Sequence, residues 1–230
     1  SLCVHPKFIL VGMSSSIILV FDYFGVLRGA LGTPPATSPH AFHESDLASL
    51  RVIPEFADAG GVTALDNALQ GNETIAGYVD GRVVLWDVLN RVALKSLPGL
   101  PPAGGEASFT VHDATAITFL RAYKPWACIA IDARGNVFFV TFQRNMFLVM
   151  NAERKLLLAE NLGISAASLF RGDDDTSTSS SMTSSAPPGV PSALDQPRKM
   201  LAVASATSTI VIHLEPEPPS VMFRWDPPPL

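Results

Sequence analysis

The chain has 230 residues, 47% of them hydrophobic and 16% charged, with a mean hydropathy of +0.27 and a formal net charge of -5 from 16 basic and 21 acidic residues. This composition builds an apolar core, and with no Lys/Arg cluster along the chain it excludes nucleic acid as a direct partner. Cys3 and Cys128 lie far apart and outside any ligand motif, which excludes a disulfide framework and a Cys-based metal site and suits a reducing, cytoplasmic setting.

In chain order, FILVGMSSSIILVFDYFGVL (8 to 27) is long and apolar enough to cross a bilayer. Ser14, Ser15 and Ser16 interrupt it, however, and Asp22 within a span would cost roughly 2.5 to 3.5 kcal/mol, so it reads as two strands about a turn. Residues 32 to 61 read as an inserted loop. GVTALD (61 to 66) predicts a strand, ETIAGYVDGRVVLWDV (73 to 88) a hairpin and RVALKSL (91 to 97) another strand. After a second insertion at 98 to 107, HDATAITFL (112 to 120), WACIAIDARGNVFFVTF (126 to 142) and MFLVMNAERKLLL (146 to 158) repeat that order. Residues 171 to 199 are rich in Ser, Thr and Pro, which bury too little apolar surface to fold, and predict disorder. MLAVASATSTIVIHLE (200 to 215) predicts a last hairpin.

These hairpins are copies of one unit. Aligning 8 to 23 with 73 to 88 puts Gly12 on Gly77, Ser16 on Gly81, Phe21 on Trp86 and Asp22 on Asp87; Gly135 and Ser208 take the Gly81 place in the third and fourth copies. Each unit joins two apolar runs by about three polar or glycine residues, because small residues permit the positive backbone angles of a tight turn. The near-continuous Val, Ile, Leu and Phe of the runs predicts strands buried on both faces. With a strand on either side, each unit is the four-stranded blade of a β-propeller, and Trp86-Asp87 is the Trp-Asp pair that ends a third strand. The anchors Ser16, Gly81, Gly135 and Ser208 are 65, 54 and 73 residues apart. A standard blade of roughly 40 to 45 residues therefore carries insertions here.

The expected fold is all-β, a partial WD-like β-propeller of about four degenerate blades, each of four antiparallel strands, and a fragment of a larger ring. The blades should occupy 1 to 170, with the inserted loop at 32 to 61; a disordered Ser/Thr/Pro-rich insertion should fill 171 to 198; further, truncated blade strands should follow over 199 to 230. A chain that starts at Ser1 inside an apolar region and ends on DPPPL is expected to be a piece of a longer protein. The blade pattern is incomplete: the second blade supplies Asp80 and Trp86 but no His, and the third has His112 but Val140 where a Trp would stand. Isolated blades with open faces and strand edges predict poor solubility.

No residue pattern points to catalysis. His5, His40, His43, His112 and His213 lack zinc spacing, Ser14 to Ser16 lack the context of a hydrolase nucleophile, and no phosphate-binding glycine loop is present. No cofactor or metal is expected. Asp80 and Gly81 read as turn residues, Trp86 and Asp87 as blade packing, and His112 and Gly135 as the lead and turn of the third blade. GDDDTSTSSSMTSS (172 to 185) reads either as a phosphorylation-regulated acidic segment or as a solvated loop.

HDATAITFL followed by DARGNVFFVTFQRNMFLV, with HPKFILVGMSSSIILVFD, GGVTALD and IAGYVDGRVVLWDV before them, resembles the N-terminal propeller of the vacuolar protein sorting-associated protein eight family over residues 5 to 150. Arg134, Gly135, Asn136, Val137, Phe138, Phe142 and Arg144 match that family's GGSVF-x-x-x-F-x-R pattern. The resemblance implies a non-catalytic subunit of CORVET, which tethers endosomes before fusion. Its implied partners are class C tether subunits and an endosomal Rab GTPase, and its implied location is cytoplasmic, peripheral on the endosome membrane through those partners. The family's α-helical solenoid and zinc-binding RING are absent from these 230 residues, so no zinc or ubiquitin-linked role is assigned. The competing reading is a WD-like scaffold of another complex, a coat or a ubiquitin-ligase receptor.

Overall fold

The computed structural model describes residues 1–34, 50–68, 71–99, 116–145, 149–159, 164–171, 199–215 and 220–226. The chain divides into two compact units, Ser1–Gly163 and Ile164–Leu230.

The first unit holds three sheets, each a meander of four antiparallel strands paired in chain order. The first contains β1 (Leu2–His5), β2 (Phe8–Gly12), β3 (Ile18–Phe21) and β4 (Leu27–Leu31). The second contains β5 (Val62–Asn67), β6 (Glu73–Tyr78), β7 (Val83–Asp87) and β8 (Val92–Leu97). The third contains β9 (Ile117–Lys124), β10 (Ala127–Asp132), β11 (Asn136–Arg144) and β12 (Met150–Ala159). Residues 8 to 27 thus form two strands and the turn to a third, and among the described residues no helix is long and apolar enough to cross a membrane.

The repeated hairpins are the two middle strands of each sheet. β6 and β7 pair Gly77 with Val83 and Thr74 with Trp86; β10 and β11 pair Ile131 with Val137 and Cys128 with Val140. The turns close alike. Met13 N–H donates to Ile17 O at 2.8 Å and Tyr78 N–H to Arg82 O at 3.0 Å. The aligned anchors Ser16, Gly81 and Gly135 all adopt positive φ, at 65°, 81° and 88°. A tight turn needs that conformation there, which explains the small residue in each copy.

Continuous apolar strands suit burial on both faces. Ala76, Tyr78, Val84 and Trp86 face the first sheet, joining Leu10, Ile18 and Val20 in one core, whereas Ile75, Val83 and Leu85 face the third sheet with Ile117, Cys128, Phe138 and Val140. The loop expected at 32 to 61 is packed at its C-terminal end. There Pro54–Phe56 forms a single 3-10 turn that buries Phe56 completely, its ring 5.0 Å from Trp86 and 6.1 Å from Tyr78 between centroids.

The second unit is a fourth sheet of β13 (Ile164–Arg171), β14 (Lys199–Ser205), β15 (Thr209–His213) and β16 (Ser220–Trp225), paired in that order. Its hairpin turn is closed by side chains, since Ser205 Oγ accepts the N–H groups of Thr207 and Ser208 at 3.2 and 3.0 Å. Residues 172–198 lie between β13 and β14, which are hydrogen-bonded neighbours. β15 alternates buried Ile210 and Ile212 with half-buried neighbours, while every residue of β16 is exposed. All four sheets have the meander order of a blade, and the fold class is that of a partial, WD-like β-propeller.

Candidate functional site

The first strands β1, β5 and β9 lie side by side, and they border a groove of about 490 Å³. Each is the end strand of its sheet, so its unpaired backbone edge and the consecutive side chains along it border the groove. β1 contributes Leu2 and Val4, both exposed; β5 contributes Thr63, Asp66 and Asn67; β9 contributes Thr118 and Arg121.

Two adjacent polar side chains tie the blades together there. Asp66 Oδ2 accepts the Ala122 N–H at 2.7 Å, and its Oδ1 lies 3.5 Å from the Arg121 guanidinium, which joins β5 to β9. Asn67 donates through Nδ2 to Val4 O and accepts from the Cys3 thiol at 3.3 Å, which joins β5 to β1. The Asp66 side chain is 16% exposed and that of Arg121 59%, so the charge the groove offers to solvent is cationic.

Burial, then the Asp66 charge, push the Cys3 thiol up to about 11. It is a protonated thiol at neutral pH and a poor nucleophile. Burial likewise raises Cys128, which is fully buried. Among the described residues no cluster of three His, Cys, Asp or Glu side chains is placed to hold a metal ion. A groove of this kind is suited to recognition through shape, backbone groups and one guanidinium.

The residues singled out from the sequence lie away from this groove, in turns and blade interiors. Asp80 Oδ1 accepts the Arg82 N–H at 2.9 Å, and Arg82 in turn donates to Glu55 O at 2.6 Å and lies 5.5 Å from the Phe56 ring centroid. Gly81 O accepts from Arg154 Nη2 at 3.0 Å, a bond between neighbouring sheets. Trp86 is 1% exposed and donates from Nε1 to Tyr78 Oη at 3.2 Å. Asp87 closes the β7–β8 turn by accepting the Asn90 N–H at 3.0 Å, and the aligned Asp22 closes the β3–β4 turn by accepting the N–H groups of Phe24 and Val26, each at 2.9 Å. Gly135 N–H donates to Asp132 O at 3.0 Å. His112 lies outside the described residues, as do His40 and His43.

Sequence reading passed over Asp66, Arg121, Asp132 and Arg154. Asp132 was findable: its Oδ1 accepts from Arg134 N and Asn136 N at 3.0 and 2.9 Å, an Asx turn readable from its place at the head of the turn that ends in Gly135. Arg154 was not. It reads as a solvent-side cation in β12, yet it lies over the Phe138 ring at 5.2 Å, and burial lowers its pKa.

The model of the Vps8 beta-propeller family matches residues 1–227 of this chain. The chain belongs to that family. The match runs past residue 150, where the resemblance read from the sequence stops, and takes in the strands of the fourth sheet. No curated protein matches the sequence. Among solved structures, a chain of "Crystal Structure of Mitotic Checkpoint Complex" is similar with a TM-score of 0.53 at 9% identity, over 99% of this chain and 53% of that one. At that identity the likeness is one of fold alone, and this chain spans about half the length of the solved chain. The Vps8 propeller is a WD-like scaffold; blades of this kind present rigidly held turns and grooves to other molecules.

Proposed function

We propose that this Vps8 propeller is a non-catalytic protein-interaction module of an endosomal vesicle-tethering subunit, acting in endosome fusion and in vacuolar and lysosomal protein transport. It works in the cytoplasm, peripheral on the endosome membrane, and engages class C tether subunits and an endosomal Rab GTPase. The observation that carries this reading is the family match across residues 1–227. The groove supports it: its surface is built from the edges of the first strands and one accessible guanidinium, with a buried, protonated thiol beneath.

In this reading Asp80, Gly81, Trp86, Asp87, His112 and Gly135 are framework residues that close turns and pack blades, and partner contacts fall elsewhere. The Ser/Thr/Pro-rich residues 172–198, which follow β13, are an insertion within the last blade. The test is capture of partners by the full-length protein with this propeller intact or deleted, probed with GTP-loaded and GDP-loaded endosomal Rab proteins and with class C subunits. Enrichment of both that depends on the propeller is expected. Equal recovery without the propeller sinks the assignment.

A further inference from the structure

Large apolar side chains are exposed at one rim of the first unit. Phe24, in the β3–β4 turn, is 92% exposed, Tyr23 beside it 55% and Val26 45%; in the next blade Leu89 of the β7–β8 turn is 48% exposed and Val92, which opens β8, 47%. Phe24, Tyr23 and Val26 together make a contiguous exposed apolar cluster, the kind of surface that marks an interaction site.

The rim is rigidly built. Asp22 accepts the N–H groups of Phe24 and Val26, and Asp22 N–H donates to Val26 O at 3.0 Å, with Gly25 at φ 78° completing the turn. Tyr23 Oη donates to His5 O. Arg91 donates to Arg28 O at 2.6 Å and Lys7 to Asn72 Oδ1 at 2.8 Å, which tie the turns of the first two blades into one surface.

Charge around the tips is sorted by direction. The cations Lys7, Arg28 and Arg91 are exposed. The carboxylates are turned inward: the Asp22 side chain is 14% exposed and paired with Arg28 at 2.5 Å, Asp87 is spent on its own turn, and Glu73 is half-buried. Protruding aromatic and aliphatic tips ringed by outward cations match the layering of an anionic bilayer surface, where apolar groups enter the interface and Lys and Arg meet headgroup phosphates.

We propose that the rim made by the β3–β4 and β7–β8 turns docks directly on bilayers containing anionic lipid, with Phe24 and Leu89 entering the interface and Lys7 and Arg91 over the headgroups. This goes beyond partner-mediated recruitment, because it needs no second protein.

The test is flotation of the full-length protein with protein-free vesicles of phosphatidylcholine, with and without phosphatidylserine. Binding should require phosphatidylserine and weaken as salt is raised. Phe24→Ser and Leu89→Ser should each lower apparent affinity by about tenfold, and Lys7→Gln by a smaller factor. Thermal melting should be unchanged, since the replaced side chains are exposed. A Phe24→Trp protein should gain blue-shifted emission on adding the anionic vesicles. Failure to float with phosphatidylserine, or flotation indifferent to both serine variants, overturns the proposal. So does a result in which the serine variants lose a protein subunit while vesicle binding stands, since the rim is then a protein contact. Failure here leaves the tethering reading intact, because that reading is measured with partner proteins and no lipid.

Discussion

His5 is 1% exposed, stacks on Phe8 with ring centroids 5.6 Å apart, and accepts the Lys7 N–H through Nδ1 at 3.2 Å. Burial first, and the Lys7 charge second, hold its pKa below the ordinary 6.5. A folded value below the unfolded one means that the fold prefers the neutral ring. The full stability is therefore present above about pH 6.5, and part of it is lost as pH falls through and below that value. The urea midpoint should drop on acidification across this range, and the drop should shrink in His5→Gln; an equal drop in both proteins would refute the assignment to His5. Single residues were unevenly legible. Trp86 read as blade packing because a large aromatic ending an apolar strand has few other uses, but its partners Tyr78 and Phe56 come from another strand and from a loop.

At the scale of strands, the glycine of the second strand acts on the next blade. A Cβ on Gly77 would stand 2.6 Å from the Ile117 side chain of β9, and one on the aligned Gly12 2.6 Å from Val62 of β5. In both copies the missing side chain lets the next first strand approach. Gly77→Ala should cost about 1 to 3 kcal/mol by overpacking, read as a lower denaturation midpoint. Adding Ile117→Ala should recover part of that loss relative to Ile117→Ala alone, since contacting residues are not additive. Independent costs would refute the contact. The hairpins themselves were legible because periodicity and turn chemistry are local. The outer strands β1, β4, β13 and β16 are short or weakly patterned, and they are strands because a neighbour offers its hydrogen-bonding edge.

Over the whole molecule, apolar side chains remain uncovered on strands at both ends of the order. Leu2 and Val4 of β1 are 65% and 58% exposed, and Val221, Met222, Phe223 and Trp225 of β16 are each more than half exposed. Strand edges and apolar faces of this size associate in water. The chain produced alone should form concentration-dependent oligomers, measured by light scattering after size exclusion; a monomer that unfolds in one cooperative step would contradict this. The family match gives the scaffold.

Local chemistry was enough to determine the repeat, the turn positions and the all-β class. Chain stiffness at β-branched residues and the freedom of glycine act within a few neighbouring residues, and they leave their mark in order along the chain. Tertiary structure alone decided that Asp66 and Arg121 meet across two blades, that Phe56 enters a core, that Arg154 lies half-buried over Phe138, and that Phe24 is exposed. Each of these depends on which strands become neighbours. That choice is made by packing among residues distant in sequence, about which a side chain's own identity says little.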